Sequence, residues 1–204
     1  MVAVGDQGVV YGCDLSLDAL GLCRRRDLGR HLVGCQGEAL AFETEAFDVV
    51  LSCDVLEHIP DDRRALGEMA RVLVPGGLLI ATVPAYPGLW SSHDEVLEHQ
   101  RRYTRSELRA KLRATGLEVI KLSYAVMLPL PAALVIRLGE RLRRKSMRSN
   151  QTGLVTLPSG LNTVLARVLD LENWFIAHTG LPCGTSLVAL ARKPITNHAK
   201  AHRT

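Results

Sequence analysis

The sequence lacks an apolar run long enough to cross a membrane. Its longest apolar run, residues 125–136, is interrupted by Pro129 and Pro131, whereas a spanning helix needs about 20 apolar residues. The opening MVAVGDQ shows neither a basic region followed by an apolar stretch nor a small-residue cleavage pattern. We therefore expect a cytoplasmic protein without a transmembrane segment or a targeting peptide.

Paired cysteines and familiar hydrolase motifs are also missing. Five cysteines form no C-x-x-C pair, and an odd number without a secretory signal favours reduced thiols. Neither a G-x-S-x-G elbow nor a P-loop occurs, so a hydrolase of these kinds is not predicted. The net charge of +4 comes from short basic runs such as 24–26 and 143–145. Because such runs are weak evidence for nucleic-acid binding, we expect none.

What the sequence does contain is an alternation of apolar runs and helical patterns. At 204 residues and 47% hydrophobic composition, the chain can bury one sizeable core. The alternation predicts parallel strands joined by helices, that is, an α/β sheet. The run 47–53 shows little polar alternation, which predicts a central strand. The predicted strands are 8–13, 31–35, 47–53, 78–83, 117–124 and 185–192, and the predicted helices are 17–27, 61–73 and 104–115.

The rhythm changes after residue 125. We predict an α/β core over 1–125, a helical insertion or cap over 126–184 and the last core strand over 185–193. The insertion contains two helical patterns, near 134–144 and 161–179. The tail 194–204 is predicted to be disordered.

Several polar residues follow the predicted strands, where ligands bind in open parallel sheets. Asp14 ends the first strand in VVYGCDLS, and an acid there can accept both hydrogen bonds from a ribose diol. Its alternative role is to cap the following helix, which Ser16 could do instead.

Two segments, YGCDLS and FDVVLSCDVLEHIPDDRRALGEMARVLVPGGLLIATVP, resemble the second through fifth strand regions of class I S-adenosylmethionine-dependent methyltransferases. The resemblance, to type 11 and type 12-like domains, implies a Rossmann-like, doubly wound, mostly parallel sheet. It implies S-adenosyl-L-methionine as cofactor, bound by Asp14, Leu15, Gln36, Gly37, Cys53, Asp54 and His58. Gln36 stands where the family often has an aspartate, and its carbonyl could accept the same hydrogen bond. Glu57 and His58 follow the fourth strand of the family's fold, where a histidine could hydrogen-bond a carboxylate or serve as a base. The two residues could equally organise their loop.

A later stretch, AYPGLWSSHDEVLEHQRRYTRSELRAKL, resembles one group of these enzymes that has W-S-x-H-D and H-x-R-R-Y after the fifth strand. The resemblance implies a roof over the acceptor site. His93 and His99 are the candidate bases. The guanidinium groups of Arg101 and Arg102 could bind an anionic acceptor or tie the loop to acids such as Asp94. One loop without a fourth protein ligand does not indicate a metal site, so none is predicted. The candidate substrate contacts are Trp90, Arg101, Arg102 and Tyr103.

The predicted function is methyl transfer to a small-molecule or lipid-like acceptor. Apolar 127–136 followed by basic residues is typical of contact with a membrane surface, or of an ordinary cap helix. The family's first strand and glycine-rich loop are not matched before Asp14. That strand would lie between the strands ending at Asp14 and Cys53, so we expect a piece of a longer protein. The alternatives are a non-catalytic scaffold or inactive fragment, and an NAD-dependent oxidoreductase, which Asp14 alone also fits.

Overall fold

A computed structural model describes residues 8–26, 31–127, 130 and 159–195, without the side chains of 159–165. The strands are β1 (Tyr11–Asp14), β2 (His31–Gly34), β3 (Phe47–Cys53), β4 (Leu73–Pro84), β5 (Glu118–Ala125) and β6 (Ser186–Arg192). The α-helices are α1 (Leu17–Arg25), α2 (Asp62–Val72), α3 (Ser92–Val96), α4 (Arg105–Ala114) and α5 (Ser159–His178). Two 3-10 turns cover Leu56–His58 and Pro87–Leu89.

The strands form two sheets. β1 and β2 pair in parallel, and the other four strands are ordered β3-β4-β6-β5. β3 and β4 are parallel, whereas β6 runs antiparallel to both β4 and β5. Because β4 and β5 share this antiparallel neighbour, they run in the same direction. The predicted Rossmann-like α/β fold is confirmed, with a mixed strand pairing.

The prediction that β3 is central is wrong for the described part of the chain. There β3 pairs only with β4, and its Val49 and Leu51 are 48% and 54% exposed. The aromatic rings of Tyr11 on β1 and Phe47 on β3 lie 5.5 Å apart, so the two sheets approach one another at this unpaired edge. An apolar run reports that a strand can be covered, but it does not specify what pairs with it.

α2 begins as the sequence predicts and ends one residue before the predicted end, at Val72. The carboxylate of Asp61 accepts a hydrogen bond from the backbone N–H of Arg64 at 3.0 Å, which caps the helix. The expected stop at Pro75-Gly76-Gly77 instead lies inside β4. Leu73 already pairs with Phe47, because the parallel ladder begins as soon as α2 ends.

α4 is fixed against α2 by buried polar contacts. Thr104 caps α4 by accepting from the backbone N–H of Glu107 at 3.2 Å. The fully buried Tyr103 donates its hydroxyl to Asp62 at 2.8 Å and to the Leu56 carbonyl at 3.1 Å. Lys111 on α4 pairs with the same Asp62 carboxylate. The loop before α4, the start of α2 and the 3-10 turn at 56–58 are therefore held together.

The predicted insertion is described only in part. The helix expected near 134–144 and residues 196–204 of the expected tail lie outside the described residues. α5 packs beside β5, where the Glu172 carboxylate accepts the backbone N–H of Met127 at 3.1 Å. Across the described helices, none combines the length and the apolar character needed to cross a bilayer.

Gly184 supports a sharp test of the packing between β5 and β6. A Cβ atom at Gly184 would lie 2.1 Å from the backbone oxygen of Ala125. Because this neighbour is a backbone atom, no side-chain rotation can relieve the clash. We expect Gly184→Ala to lower the free energy of unfolding by about 3 kcal/mol or more. Gly67→Ala in α2 meets nothing within 4 Å and should stabilise the helix by up to about 1 kcal/mol. Urea unfolding followed by circular dichroism measures both, and equal stabilities would contradict the close approach.

Candidate active site

A cavity of about 350 Å³ opens beyond the carboxyl ends of β3 and β4. This is the edge at which open parallel sheets bind their ligands. The chain segments that meet there come from both strand ends, the 3-10 turns, α3 and the start of β6. The lining residues are Asp54, Glu57, Pro84, Leu89, His93, Leu97, His99, Arg102, Thr185 and Ser186.

Asp54 presents its carboxylate from a constrained backbone position directly after β3. Its φ of 51° lies in the left-handed region, which few residues other than glycine adopt. Thr82 on β4 stabilises this conformation, because its backbone oxygen accepts the Asp54 N–H at 3.0 Å and its hydroxyl donates to the Asp54 carboxylate at 3.1 Å. The ends of the two parallel strands are thus joined beside the cavity.

Asp94 is a fully buried carboxylate at the centre of the roof over this cavity. Its Oδ1 accepts from Arg102 Nε at 2.7 Å and from His99 Nδ1 at 2.9 Å. Its Oδ2 accepts from both the backbone N–H and the hydroxyl of Ser91, each at 2.9 Å. Burial alone would raise the pKa of Asp94, but these donors bring it below its usual value. Asp94 is therefore ionised at neutral pH.

The ionised Asp94 defines the chemistry of His99. A carboxylate can only accept hydrogen bonds, so the Nδ1 atom of His99 carries the proton. In the neutral form of the ring, the Nε2 atom is then the nitrogen without a proton. His99 is 9% exposed and lines the cavity, which makes it an oriented base or a ligand.

The H-x-R-R-Y segment clamps the L-E-H-I loop. Gln100 donates its backbone N–H to the Glu57 carbonyl and its side-chain amide to the His58 carbonyl, both at 2.8 Å. Arg101 donates to the Pro60 carbonyl at 2.8 Å and pairs with Asp62 at 3.2 Å. The two motifs, about forty residues apart in sequence, thus form one structural unit.

Glu57, a residue of the clamped L-E-H-I loop, lines the cavity. Its side chain is almost fully buried, and within the described residues its Oε2 atom has no hydrogen-bond partner. Burial raises its pKa to about 7, with a further contribution from the nearby Asp54. A carboxylate in this state can hold a proton at neutral pH or accept a cation.

Four of the predicted cofactor residues lie at or just after the ends of β1 and β2, namely Asp14, Leu15, Gln36 and Gly37. The Asp14 carboxylate accepts the Ser16 N–H at 2.8 Å, while Ser16 itself caps α1 by accepting the Ala19 N–H at 3.2 Å. Helix capping therefore does not require Asp14, which leaves its exposed carboxylate available to a ribose. Gly37 packs against Ile59, since a Cβ there would lie 2.5 Å from the Ile59 Cδ1 atom. The loop after β2 thus contacts the end of the L-E-H-I segment.

The structure brings together part of the predicted site. Asp54, His93, His99 and Arg102 line the cavity, and the His58 ring lies 4.7 Å from the His99 ring. Arg102 ties the loop to Asp94, as one of its two predicted roles required.

Other predicted residues lie elsewhere. Leu15 is 70% exposed and Trp90 38% exposed, Cys53 is exposed at the end of β3, and Arg101 faces Asp62. Tyr103 is fully buried below the roof. The substrate and cofactor roles of these residues stay predictions.

Sequence reasoning did not assign Thr185 and Ser186 to the site. They enter from the last strand, after the insertion, and nothing in their local pattern marks them. It also left Glu57 as a residue that organises its loop. The signal that could have identified Glu57 is an acid between the apolar Leu56 and Ile59, in the loop that follows β3.

Comparisons with known proteins show which domain family and which fold this chain resembles. The model of the methyltransferase domain family matches residues 2–81. An uncharacterized methyltransferase of Mycobacterium sp. (strain KMS) is 36% identical over 85 residues, which covers 38% of this chain and 34% of the relative. A phthiotriol/phenolphthiotriol dimycocerosates methyltransferase 1 of Mycobacterium ulcerans is 42% identical over 73 residues, covering 35% of this chain and 27% of the relative. The matches thus span about a third of these relatives.

The solved structures that resemble the chain include a Haemonchus contortus phosphoethanolamine N-methyltransferase 2 in complex with S-adenosyl-L-methionine. It superposes with a TM-score of 0.56 at 22% identity, covering 94% of this chain and 45% of that protein. At this identity the likeness concerns the fold alone. The predicted resemblance to class I methyltransferases is confirmed in the sequence family and in the architecture.

The roof around Asp94 can be tested through stability. Asp94→Asn removes the charge that compensates Arg102 in a buried site, so we expect the free energy of unfolding to fall by about 3 kcal/mol or more. Glu95→Gln, one residue along the same helix and exposed, should change it by less than about 0.5 kcal/mol. Thermal or urea unfolding of the two variants decides the matter. Similar losses in both would show that Asp94 does not organise the roof.

Proposed function

We propose that this chain, whose residues 2–81 match the model of the methyltransferase domain family, transfers a methyl group from S-adenosyl-L-methionine to a small-molecule or lipid-like acceptor. The observation that carries the proposal is the cavity beyond β3 and β4, into which an oriented histidine and a strained aspartate project. Catalysis in such a displacement comes mainly from alignment and exclusion of water. The clamped roof over the cavity is suited to both.

The residues at the strand ends are suited to hold the cofactor. Asp14 offers an exposed carboxylate for the ribose hydroxyls, and Gln36 offers an uncharged acceptor for the adenine amino group. Asp54 has the charge and the position to bind the ammonium of the methionine portion. When bound, the cofactor supplies an electrophilic methyl group.

His99 and His93 are the proposed bases. The Asp94 carboxylate fixes the His99 tautomer and would stabilise the imidazolium that forms when Nε2 takes a proton, as a third group does in catalytic triads. His93 lines the same cavity from α3. A base of this kind is needed when the acceptor is a hydroxyl and contributes typically 10²- to 10⁴-fold to the rate.

A lipid-like acceptor has two supports. One similar protein is named for a lipid acceptor, a phthiotriol dimycocerosate. In addition, α5 exposes Leu171, Trp174 and Phe175 to 57%, 53% and 40%, an apolar surface that could receive an acyl chain or lie against a membrane. The cavity itself, at about 350 Å³, is near the lower end of the range for small-molecule sites.

Titration of S-adenosylhomocysteine by calorimetry tests the cofactor site, because this product does not react. Binding should be measured with this chain and with a version lengthened by the upstream codons of its gene. In whichever protein binds, Asp14→Ala should weaken binding about 10- to 100-fold, since it removes charged hydrogen bonds to the ribose. Asp18→Ala, on an exposed turn of α1, is the matched control and should bind normally.

Binding by either protein, with the Asp14 effect, supports the cofactor site. If neither protein binds the product, the methyltransferase proposal fails and a non-catalytic scaffold becomes the better interpretation. Binding that is insensitive to Asp14→Ala would contradict the assigned ribose contact.

The base can be tested with a methyl-transfer assay over a panel of hydroxyl-bearing acceptors, both small and acylated. We expect His99→Gln to reduce kcat about 10²- to 10⁴-fold while leaving product binding intact, because the base acts on the acceptor only. His93→Gln should show a comparable loss if it shares the proton transfer. His178→Gln on α5 serves as the control. Full activity of both His93→Gln and His99→Gln would remove general-base catalysis from the proposal.

A further inference from the structure

Three potential metal ligands meet beside the cavity. One ligand atom from each of Glu57, His58 and His99 lies within 4.8 Å of the other two. The two imidazole rings are 4.7 Å apart and nearly perpendicular, at 79°. Two histidines and one carboxylate that converge in this way are a donor set for divalent transition metals.

The Glu57 carboxylate is the strongest indication that something binds here. Glu57 is only 1% exposed, and its Oε2 atom has no hydrogen-bond partner among the described residues. Buried polar atoms are almost always hydrogen-bonded, so such an atom needs an explanation. A cation at the meeting point of the three residues would supply the missing interaction.

The surroundings of the cluster are already arranged for a ligand role. Asp94 accepts the Nδ1 proton of His99 at 2.9 Å, which directs the Nε2 lone pair away from Asp94. A carboxylate behind a histidine is the usual arrangement around metal-bound imidazoles, because it fixes both the tautomer and the ring. Gln100, which follows His99 in sequence, holds it beside the other two residues by donating hydrogen bonds to the backbone carbonyls of Glu57 and His58.

We propose that Glu57, His58 and His99 bind one divalent transition-metal ion, of the zinc, cobalt, manganese or iron(II) class. Two imidazole nitrogens favour these ions over calcium and magnesium, which prefer oxygen ligands. Three protein ligands leave a coordination position for an external group, as in catalytic sites. Glu57 and His99 line the cavity, so that position is accessible to a bound acceptor.

The role of a metal here rests on the proposed function, because the ion would act on the acceptor of methyl transfer. A coordinated hydroxyl loses its proton more readily, since the ion stabilises the resulting anion. With His99 engaged as a ligand, His93 is the cavity histidine that can take this proton. The sequence predicted no metal site, because His93, Asp94 and His99 belong to a single loop. Glu57 and His58 join His99 only through folding.

Metal binding can be measured without the cofactor. The whole chain is stripped with a chelator, the chelator is removed, and Zn²⁺, Co²⁺ and Mg²⁺ are titrated by calorimetry and by Co²⁺ absorption. We expect one Zn²⁺ or Co²⁺ per chain and much weaker binding of Mg²⁺. His58→Gln, His99→Gln and Glu57→Gln should each weaken Zn²⁺ binding by more than about 100-fold, exceeding the 10- to 100-fold typical of residues behind the ligands.

His93→Gln is the matched control, because it changes a histidine of the same cavity outside the cluster and should leave the affinity unchanged. Near-ultraviolet circular dichroism verifies that each variant is folded. The proposal is overturned if Zn²⁺ and Co²⁺ do not bind, if the three variants bind as the parent does, or if Co²⁺ shows the thiolate band of a cysteine site.

Failure of the metal site and failure of the methyltransferase proposal are distinguishable. Titration of S-adenosylhomocysteine into metal-free and metal-loaded protein reports on the cofactor site alone. Cofactor binding without metal binding leaves the proposed function intact and removes this inference. Metal binding without cofactor binding leaves the metal site in place and removes its role in methyl transfer.

Discussion

The roof of the candidate site depends on the compensation of one buried charge, the carboxylate of Asp94. An isolated carboxylate would be strongly destabilised there, so the surrounding chain must supply donors. Ser91 supplies them from the N-cap of α3, and His99 and Arg102 supply them from the segment that follows α3. The W-S-x-H-D and H-x-R-R-Y patterns contain Asp94 and the residues that donate to it. Because one of these donors is His99, the interaction that stabilises the roof also orients a potentially reactive group.

The sequence predicted most elements because local signals and packing agree in them. The caps at Asp61 and Thr104 and the apolar positions of α2 and α4 all indicate the observed helices. The site was predicted where its residues stand inside a recognisable motif, as at Asp54 and in the segment with His93 and His99. The meeting of Glu57 with His99 depends on Gln100 and Tyr103, which contact the loop from about forty residues away. Single-sequence patterns do not encode such distant contacts.

The position of β3 was mispredicted for a related reason. Val49 and Leu51 have the composition of a covered strand, yet they are about half exposed beside an unpaired edge. Apolar composition records the environment for which a strand is suited, and pairing partners are set elsewhere in the chain. The aromatic contact between Tyr11 and Phe47 brings the two sheets together at one end only. In the described part of the chain, β3 has no strand partner on the side opposite β4.

Two buried carboxylates have opposite environments, Glu57 in the lining of the cavity and Asp94 in the roof above it. Asp94 has four donors, which lower its pKa, whereas Glu57 has an unpartnered oxygen and a pKa raised to about 7. Structural stability accounts for the first, because every lone pair is used. It does not account for the second, since a glutamine or an apolar residue would fit a merely structural role at lower cost. Pairs of acids whose environments separate their protonation in this way mark functional sites. The contrast makes Glu57, rather than the better connected Asp94, the residue whose burial needs a ligand or a proton to explain it.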